Sequence, residues 1–130
     1  VPHVWDRKTY AKLSEILVTD PNNLRAAIEP NTRGRQVTRL NEIECVEGEV
    51  LANVWYKDYI LRISPNDGIV TGVLDFTTLF PVASRRAAGA DVLNGIAYDA
   101  AGSSEADGFR RLFITGKLWD RMFEVKWYFQ

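Results

Sequence analysis

An internal repeat constrains this sequence more than any other feature. Residues 50–63 align without a gap on residues 112–125, and each copy reads as an apolar strand, an Asp at a turn and a second apolar strand. Upstream, residues 40–43 align on residues 93–96, so the offset is 53 residues for the first strand and 62 for the later ones. A unit of four short strands repeating at this length is typical of a β-propeller blade.

The local pattern agrees with strands. Residues 50–56 and 111–117 are short runs rich in β-branched and aromatic side chains, and turn signals such as those at 65–68 and 107–108 bound them. Residues 19–33 read as a loop in which residues 23–29 can form one helical turn, and two more loops are predicted at 81–90 and 100–108. The sequence therefore predicts an all-β fold.

The strand count falls short of a closed propeller. The strands predicted at 3–10 and 12–18 make part of one blade. A full blade follows, with strands at 38–45, 49–57, 59–65 and 69–76. The strands at 92–98, 110–118 and 121–128 make part of a third blade. This gives a partial blade at 1–18, a loop at 19–36, a full blade at 37–76, a loop at 77–90 and a three-stranded partial blade at 91–130.

About two and a quarter blades would leave open sheet edges, because closed propellers have four to eight. We therefore expect 1–130 to be the C-terminal part of one propeller domain, completed by an N-terminal half or a partner chain. The strand pattern already under way at Val1 likewise predicts a piece of something longer. An independent 130-residue β domain conflicts with the incomplete blade count.

Composition excludes several classes of function. A net charge of −1 gives no electrostatic case for nucleic acid, and the apolar runs are far below the ~20 residues of a membrane helix. One His and one Cys are too few soft ligands for zinc. Cys45 is predicted to be a small buried hydrophobe, and no catalytic role is expected for His3.

The repeat shows which residues occupy equivalent places in neighbouring blades. Asn41 matches Asn94 early in the innermost strand, and Trp55 matches Lys117 in the second strand. A Lys and a Trp at matching places would set a cation beside an aromatic wall, with carboxamides nearby, which suits a small polar ligand. Taken alone, each residue also has a purely structural interpretation. Lys117 would be a solvent-exposed residue at a strand edge, Trp55 a core residue and Asn41 a strand-end cap.

Two other charged groups are predicted to have no catalytic role. The alternating glutamates could suggest an acid/base cluster, but their spacing across a turn favours strand-edge solvation; they are Glu42, Glu44, Glu47 and Glu49. Arg85 and Arg86 are predicted to be a solvated loop pair.

Several long strings of residues carry a further signal; they lie at 37–44, 47–55, 63–65, 91–99, 113–119 and 123–125. In register and in order, these strings resemble the glutaminyl cyclases of plant and bacterial type, also called glutamine cyclotransferases. The resemblance implies a five-bladed propeller that converts an N-terminal glutamine into pyroglutamate and releases ammonia. The family's pocket asparagine falls on Asn41, its pocket tryptophan on Trp55 and its pocket lysine on Lys117, whereas Asn94 is assigned a structural role near the axis.

By this resemblance, Lys117 and Asn41 are expected to donate hydrogen bonds to the γ-carbonyl oxygen as it becomes an oxyanion, and Trp55 to form a wall. The match covers only the family's C-terminal half, so the catalytic glutamate is expected in the N-terminal half and activity only with it. Leu51 and Val73 depart from the usual pocket residues, which leaves an alternative: a non-catalytic propeller used for binding or scaffolding.

The resemblance also implies the remaining partners. No cofactor is expected to be required and zinc is not expected, although relatives can carry a structural calcium on the central axis. The expected partners are the N-terminal half as a second chain and peptides or proteins with an N-terminal Gln, with no nucleic acid and no membrane span. A secretory or periplasmic location is implied.

Overall fold

Turn-bounded apolar segments form nine strands in the part of the chain that the computed structural model describes, residues 1–30, 32 and 36–129. The strands are β1 (His3–Trp5), β2 (Lys12–Glu15), β3 (Leu40–Val46), β4 (Glu49–Val54), β5 (Tyr59–Ile63), β6 (Val70–Asp75), β7 (Leu93–Ser104), β8 (Phe109–Gly116) and β9 (Phe123–Tyr128). A 3-10 helix (Leu24–Ala27) and helix α1 (Val82–Ala87) complete the elements. Positions 31, 33–35 and 130, which the predicted segments 19–36 and 91–130 include, lie outside the described residues.

The strands pair as three antiparallel meanders. The first sheet is β1–β2, the second β3–β4–β5–β6 and the third β7–β8–β9. Glu47 and Gly48 join β3 to β4, both with positive φ (47° and 85°), as the tight two-residue turns of hairpins require. An all-β fold was predicted, and the structure is mostly β, with three antiparallel sheets and two short helices.

The second sheet has an apolar core on each face. Leu51 and Ile60 face the third sheet, where they pack with Leu112 and Ile114. Residues of the same two strands on the opposite face pack against the N-terminal segment: Ala52, Val54, Tyr59, Leu61 and Ile63, with Val18 and Val37. Because both faces are covered, β4 and β5 read as continuous apolar runs instead of alternating ones.

The predicted loop at 100–108 is wrong in its first half. Strand β7 continues to Ser104, and only residues 105–108 form the turn to β8. Asp99 pairs with Arg111 and Ser104 with Phe109, so residues 100–103 form a wide bulge opposite a single residue. The Asp99 carboxylate holds this bulge by accepting the Gly102 N–H at 3.0 Å and an Arg111 N–H at 2.9 Å.

The segment at 81–90, predicted as a loop, contains α1. Gly89 ends the helix with φ +69°, and the N–H groups of Gly89 and Ala90 return to carbonyls of the last turn, a Schellman arrangement. Arg85 is buried, not solvated: its Nη2 donates to Asp58 Oδ2 at 2.7 Å. The expected helical turn near 23–29 is present as the 3-10 helix, held by the buried Asp20 carboxylate.

The described part of the chain holds no helix with the length and hydropathy to span a membrane. One further prediction about a single residue is wrong. Cys45 is exposed, because β3 is the edge strand of its sheet and turns alternate residues, Asn41, Ile43 and Cys45, away from both cores.

The other face of β3 joins the second sheet to the third through side chains that accept backbone N–H groups of β7. Glu42 accepts from Ile96, and Glu44 Oε1 accepts from Tyr98 at 2.9 Å. On β4 the fully buried Asn53 Oδ1 accepts from Gly95 at 3.2 Å. We call these contacts the inter-sheet seam.

The predicted strand-edge solvation is therefore wrong for three of the four glutamates, and the fourth, Glu47, is exposed. Glu42, Glu44 and Glu49 are half-buried. Glu49 forms a bidentate pair with Arg62, and the more exposed Glu47 accepts from Arg110 and from Tyr98 Oη. The backbone of a neighbouring strand and the guanidinium groups satisfy carboxylates that spacing alone would leave to water.

Glu42 carries an electrostatic cost at the seam. One oxygen, Oε2, is buried without a partner among the described residues. Burial raises the pKa of Glu42, the neighbouring Glu44 charge raises it further, and only the Ile96 N–H opposes the rise. A raised pKa in the folded state means that this group favours folding below its unfolded pKa and disfavours it as the pH rises through the folded pKa.

Truncation of the inter-sheet core should be costly. Leu112→Ala removes a fully buried side chain between two sheets and is expected to lower the free energy of unfolding by about 2–5 kcal/mol. Met122→Ala, at an exposed position before β9, is the matched control and should change it by less than about 0.5 kcal/mol. Urea unfolding measures both, and equal losses would contradict the assignment of the core.

Glu42→Gln should raise the free energy of unfolding at pH 7, because the amide oxygen still accepts the Ile96 N–H while the buried charge is lost. The gain should shrink as the pH falls from 7 towards 4, because the raised pKa makes Glu42 take up its proton in the native protein before it does so in the unfolded chain. Urea unfolding across this pH range checks it, with the exposed Glu105→Gln as control. A loss of stability at pH 7 that disappears at pH 4 would contradict the account.

Candidate functional site

Trp55 and Lys117 occupy equivalent ends of two strands, in the second and third sheets. The Trp55 N–H donates to the carbonyl of Arg39, just before β3, at 2.9 Å. The Lys117 N–H donates to the carbonyl of Val92, just before β7, also at 2.9 Å. Arg39 and Val92 are 53 residues apart, the offset of the first strands, so the repeat extends to the hydrogen bonds that fix the two side chains.

The residue after each of them has a left-handed backbone. Tyr56 has φ +65° and Leu118 has φ +58°, values that are uncommon for residues other than glycine. Strained backbone of this kind persists only where the surroundings fix it, and it concentrates at functional sites. The two turns therefore share one backbone conformation directly after Trp55 and Lys117.

Asn41 and Trp55 share one cleft. It has a volume of about 360 Å³ and is lined by Arg39, Leu40, Asn41 and Trp55. The Trp55 side chain is substantially exposed, at 46%, and its ring lies 4.5 Å from the Tyr56 ring, tilted by 30°. An exposed indole braced by a second aromatic ring is a wall that a ligand can pack against.

Neighbouring residues pair with the Lys117 side chain and fix the backbone around it. Its Nζ lies 3.1 Å from Asp91 Oδ2, and this hydrogen bond holds the pKa of the Asp91 carboxyl below its usual range. The Trp119 indole donates to the Asp91 carbonyl at 2.8 Å and packs on Gly116, where a Cβ would come within 2.3 Å of the ring. Only glycine fits before Lys117.

Lys117 does not line the cleft of Asn41 and Trp55. A second groove of about 320 Å³ adjoins both turns: Tyr56 and Asp58 line it from the second sheet, and Asp91 and Val92 from the third. The structure thus brings Asn41 and Trp55 together and places Lys117, through Asp91, at the neighbouring groove.

Asn94 lies at the inter-sheet seam, next to the Gly95 whose N–H binds Asn53. Its Oδ1 and the Nδ2 of Asn53 are buried without partners in residues 1–30, 32 and 36–129. Buried polar atoms are rarely left unpaired. The structural role assigned to Asn94 stays a prediction.

Sequence reasoning did not identify three residues of the site. Asp91 orients Lys117, Tyr56 braces Trp55, and Arg39 lines the cleft with a left-handed backbone (φ +62°). An Arg before a strand gives no hint of positive φ. Asp91 could have been found, since it opens the repeat copy that ends at Lys117.

Metal ligands are few here. Within the described residues, no group of three or more His, Cys, Asp or Glu side chains could hold a metal ion. The prediction about cofactors stays untested.

Comparison with known proteins identifies the family. A family model described as glutamine cyclotransferase matches residues 13–127. A glutaminyl-peptide cyclotransferase from Arabidopsis thaliana is 40% identical over 110 residues, which are 82% of this chain and 32% of that protein. The crystal structure of Myxococcus xanthus glutaminyl cyclase matches with a TM-score of 0.63 and 34% identity, over 92% of this chain and 44% of that one.

The chain thus spans about a third to under a half of the length of these relatives. Its three antiparallel sheets match part of a glutaminyl cyclase structure. With a family model covering most of its length, the chain belongs to the glutamine cyclotransferase family.

Proposed function

We propose that this chain is part of a glutaminyl-peptide cyclotransferase, an aminoacyltransferase that cyclises N-terminal glutamine to pyroglutamate. The observation that carries the proposal, besides family membership, is the equivalence of the two strand ends that present Trp55 and Lys117. An aromatic wall and a cation on matching turns suit a substrate with apolar methylenes and one carbonyl oxygen that becomes charged.

In the proposed reaction the α-amine attacks the γ-carboxamide carbon, a C–N bond forms, and the amide C–N bond then breaks to release ammonia. Because both groups belong to one residue, the enzyme mainly has to hold the folded conformer and stabilise developing charge. Lys117 Nζ and Asn41 Nδ2 donate hydrogen bonds to the γ-oxygen as it becomes an oxyanion. Trp55 packs on the methylenes and excludes water.

Asp91 keeps the Lys117 ammonium in place while leaving donors for substrate. The ammonium has three N–H groups, and the Asp91 carboxylate accepts one at 3.1 Å. A general acid must protonate the departing nitrogen. We assign that role to a glutamate in the N-terminal half of the family fold, outside this chain.

We further propose that the three sheets are parts of successive blades of a five-bladed propeller that the N-terminal half completes. Two observations support this. The chain spans less than half of the length of its relatives, and several of its apolar side chains remain exposed. These include Val4, Trp5, Tyr10, Leu13 and Leu17 on or next to the first sheet. Such side chains are expected where another part of a fold packs.

The remaining features of the proposal follow from the family. The cyclase requires no cofactor and no zinc for turnover, and any structural calcium lies on the central axis. Its substrates are peptides or proteins with N-terminal Gln, and its location is secretory or periplasmic.

The test is ammonia release from a Gln-peptide by the assembled protein, meaning this chain together with the N-terminal half. Lys117→Ala should lower kcat by ~10²–10³-fold, the usual effect of losing one oxyanion donor, without unfolding the protein. Lys126→Ala, on β9, is the matched control and should keep full turnover. The chain alone should release no ammonia.

Two outcomes would contradict the proposal. Turnover that survives Lys117→Ala would remove Lys117 from the mechanism. Binding of Gln-peptides without any ammonia release by the assembled wild-type protein would favour the alternative, a propeller that binds peptides and has lost catalysis.

A further inference from the structure

A second, larger cleft lies on the other side of the Trp55 wall. Its volume is about 630 Å³, within the range of ligand-binding sites. Its walls come from the 3-10 helix region and from the ends of β4 and β5; they are Arg25, Glu29, Pro30, Thr32, Thr38, Arg39, Val54, Trp55, Lys57 and Tyr59. Arg39 and Trp55 line this cleft and the smaller one with Asn41, so the two clefts are contiguous.

Of the charged side chains that line the larger cleft in the described part of the chain, all but one are paired. Arg25 binds the buried Asp20, and Lys57 binds Glu29, which also accepts from Tyr59 Oη at 2.8 Å. The Arg39 side chain is exposed, and no ion pair, hydrogen bond or ring contact engages it in the described part of the chain. Among the described residues of the cleft, Arg39 is thus the cation that is available to a ligand.

The backbone of Arg39 is fixed although its side chain is unpaired. Its carbonyl accepts the Trp55 N–H at 2.9 Å, and its φ of +62° costs conformational energy that an Arg would not bear in an ordinary loop. The Arg39 backbone is therefore fixed next to that of Trp55, at the junction of the two clefts that both residues line. A planar guanidinium in such a position is suited to bidentate recognition of a carboxylate.

We propose that the larger cleft binds the peptide segment that follows the N-terminal glutamine, and that Arg39 selects substrates with Asp or Glu there. The inference rests on the proposed function, which places glutamine against Trp55 in the smaller cleft. An extended peptide advances about 3.3–3.6 Å per residue, so the residues after glutamine pass over the wall and meet Arg39. Arg39 is a specificity-determining residue and takes no part in cyclisation.

The test compares kcat/KM for the amidated peptides Gln-Ala-Glu-Ala, Gln-Glu-Ala-Ala and Gln-Ala-Gln-Ala with the assembled protein. Amidation leaves the glutamate side chain as the only carboxylate. At low salt, kcat/KM for the better acidic peptide should exceed that for the neutral Gln-Ala-Gln-Ala by about tenfold, the usual effect of a partly exposed charge-assisted hydrogen bond. At high salt the ratio should be smaller, because ions screen the interaction. The preference should be expressed mainly in KM.

Arg39→Asn is the decisive variant, because Asn tolerates a left-handed backbone and carries no charge. The acidic-to-neutral ratio should fall to about one, and Arg39→Lys should retain part of it. Arg7→Asn, an exposed cation in the first hairpin, is the matched control and should leave the ratio unchanged.

Failure of the inference is distinguishable from failure of the proposed function. If all three peptides are cyclised with equal kcat/KM, or if Arg39→Asn keeps the acidic preference, the subsite is wrong and the cyclase remains. If none is cyclised, calorimetric titration with the same peptides still decides: tighter binding of an acidic peptide that Arg39→Asn removes supports the subsite, and equal affinities overturn it.

Discussion

The inter-sheet seam is the interaction on which the rest of this structure depends. Glu42, Glu44 and Asn53 accept backbone N–H groups from three residues of β7, so side chains of one sheet hold the backbone of the next. Apolar packing between the sheets is non-directional and would tolerate a small slide. Hydrogen bonds to Gly95, Ile96 and Tyr98 are directional, and they fix β7 against β3 and β4.

The seam matters for function because the ends of these strands carry the candidate site. Trp55 is bonded to the residue before β3, and Lys117 to the residue before β7. Fixing β7 against β3 therefore also fixes the backbones of Trp55 and Lys117 relative to each other. The cost is the half-buried carboxylate of Glu42, one oxygen of which has no partner in the part of the chain that the structure describes. Such a cost persists where precise position outweighs local stability.

Sequence reasoning predicted what depends on local pattern and repetition. The strands, the antiparallel sheets and the matching of Trp55 with Lys117 follow from periodicity, because equivalent sequences fold into equivalent hairpins. What it missed depends on contacts between distant segments. Arg85 is buried because Asp58 lies 27 residues away in sequence and next to it in space, and the glutamates are bonded because β7 packs on β3. The exposure of Cys45 likewise depends on the position of β3 at the edge of its sheet. The bulge at 100–103 depends on the hydrogen bonds that the Asp99 carboxylate accepts.

The central claim is that the ends of β4 and β8 form one site for N-terminal glutamine. The most direct measurement is a crystal structure of the assembled protein with a bound pyroglutamyl peptide, the product of the proposed reaction. The account predicts the lactam ring against the Trp55 indole, with its carbonyl oxygen within hydrogen-bond distance of Lys117 Nζ and Asn41 Nδ2. A lactam bound away from these three side chains, or a Trp55 buried by another part of the propeller, would contradict it.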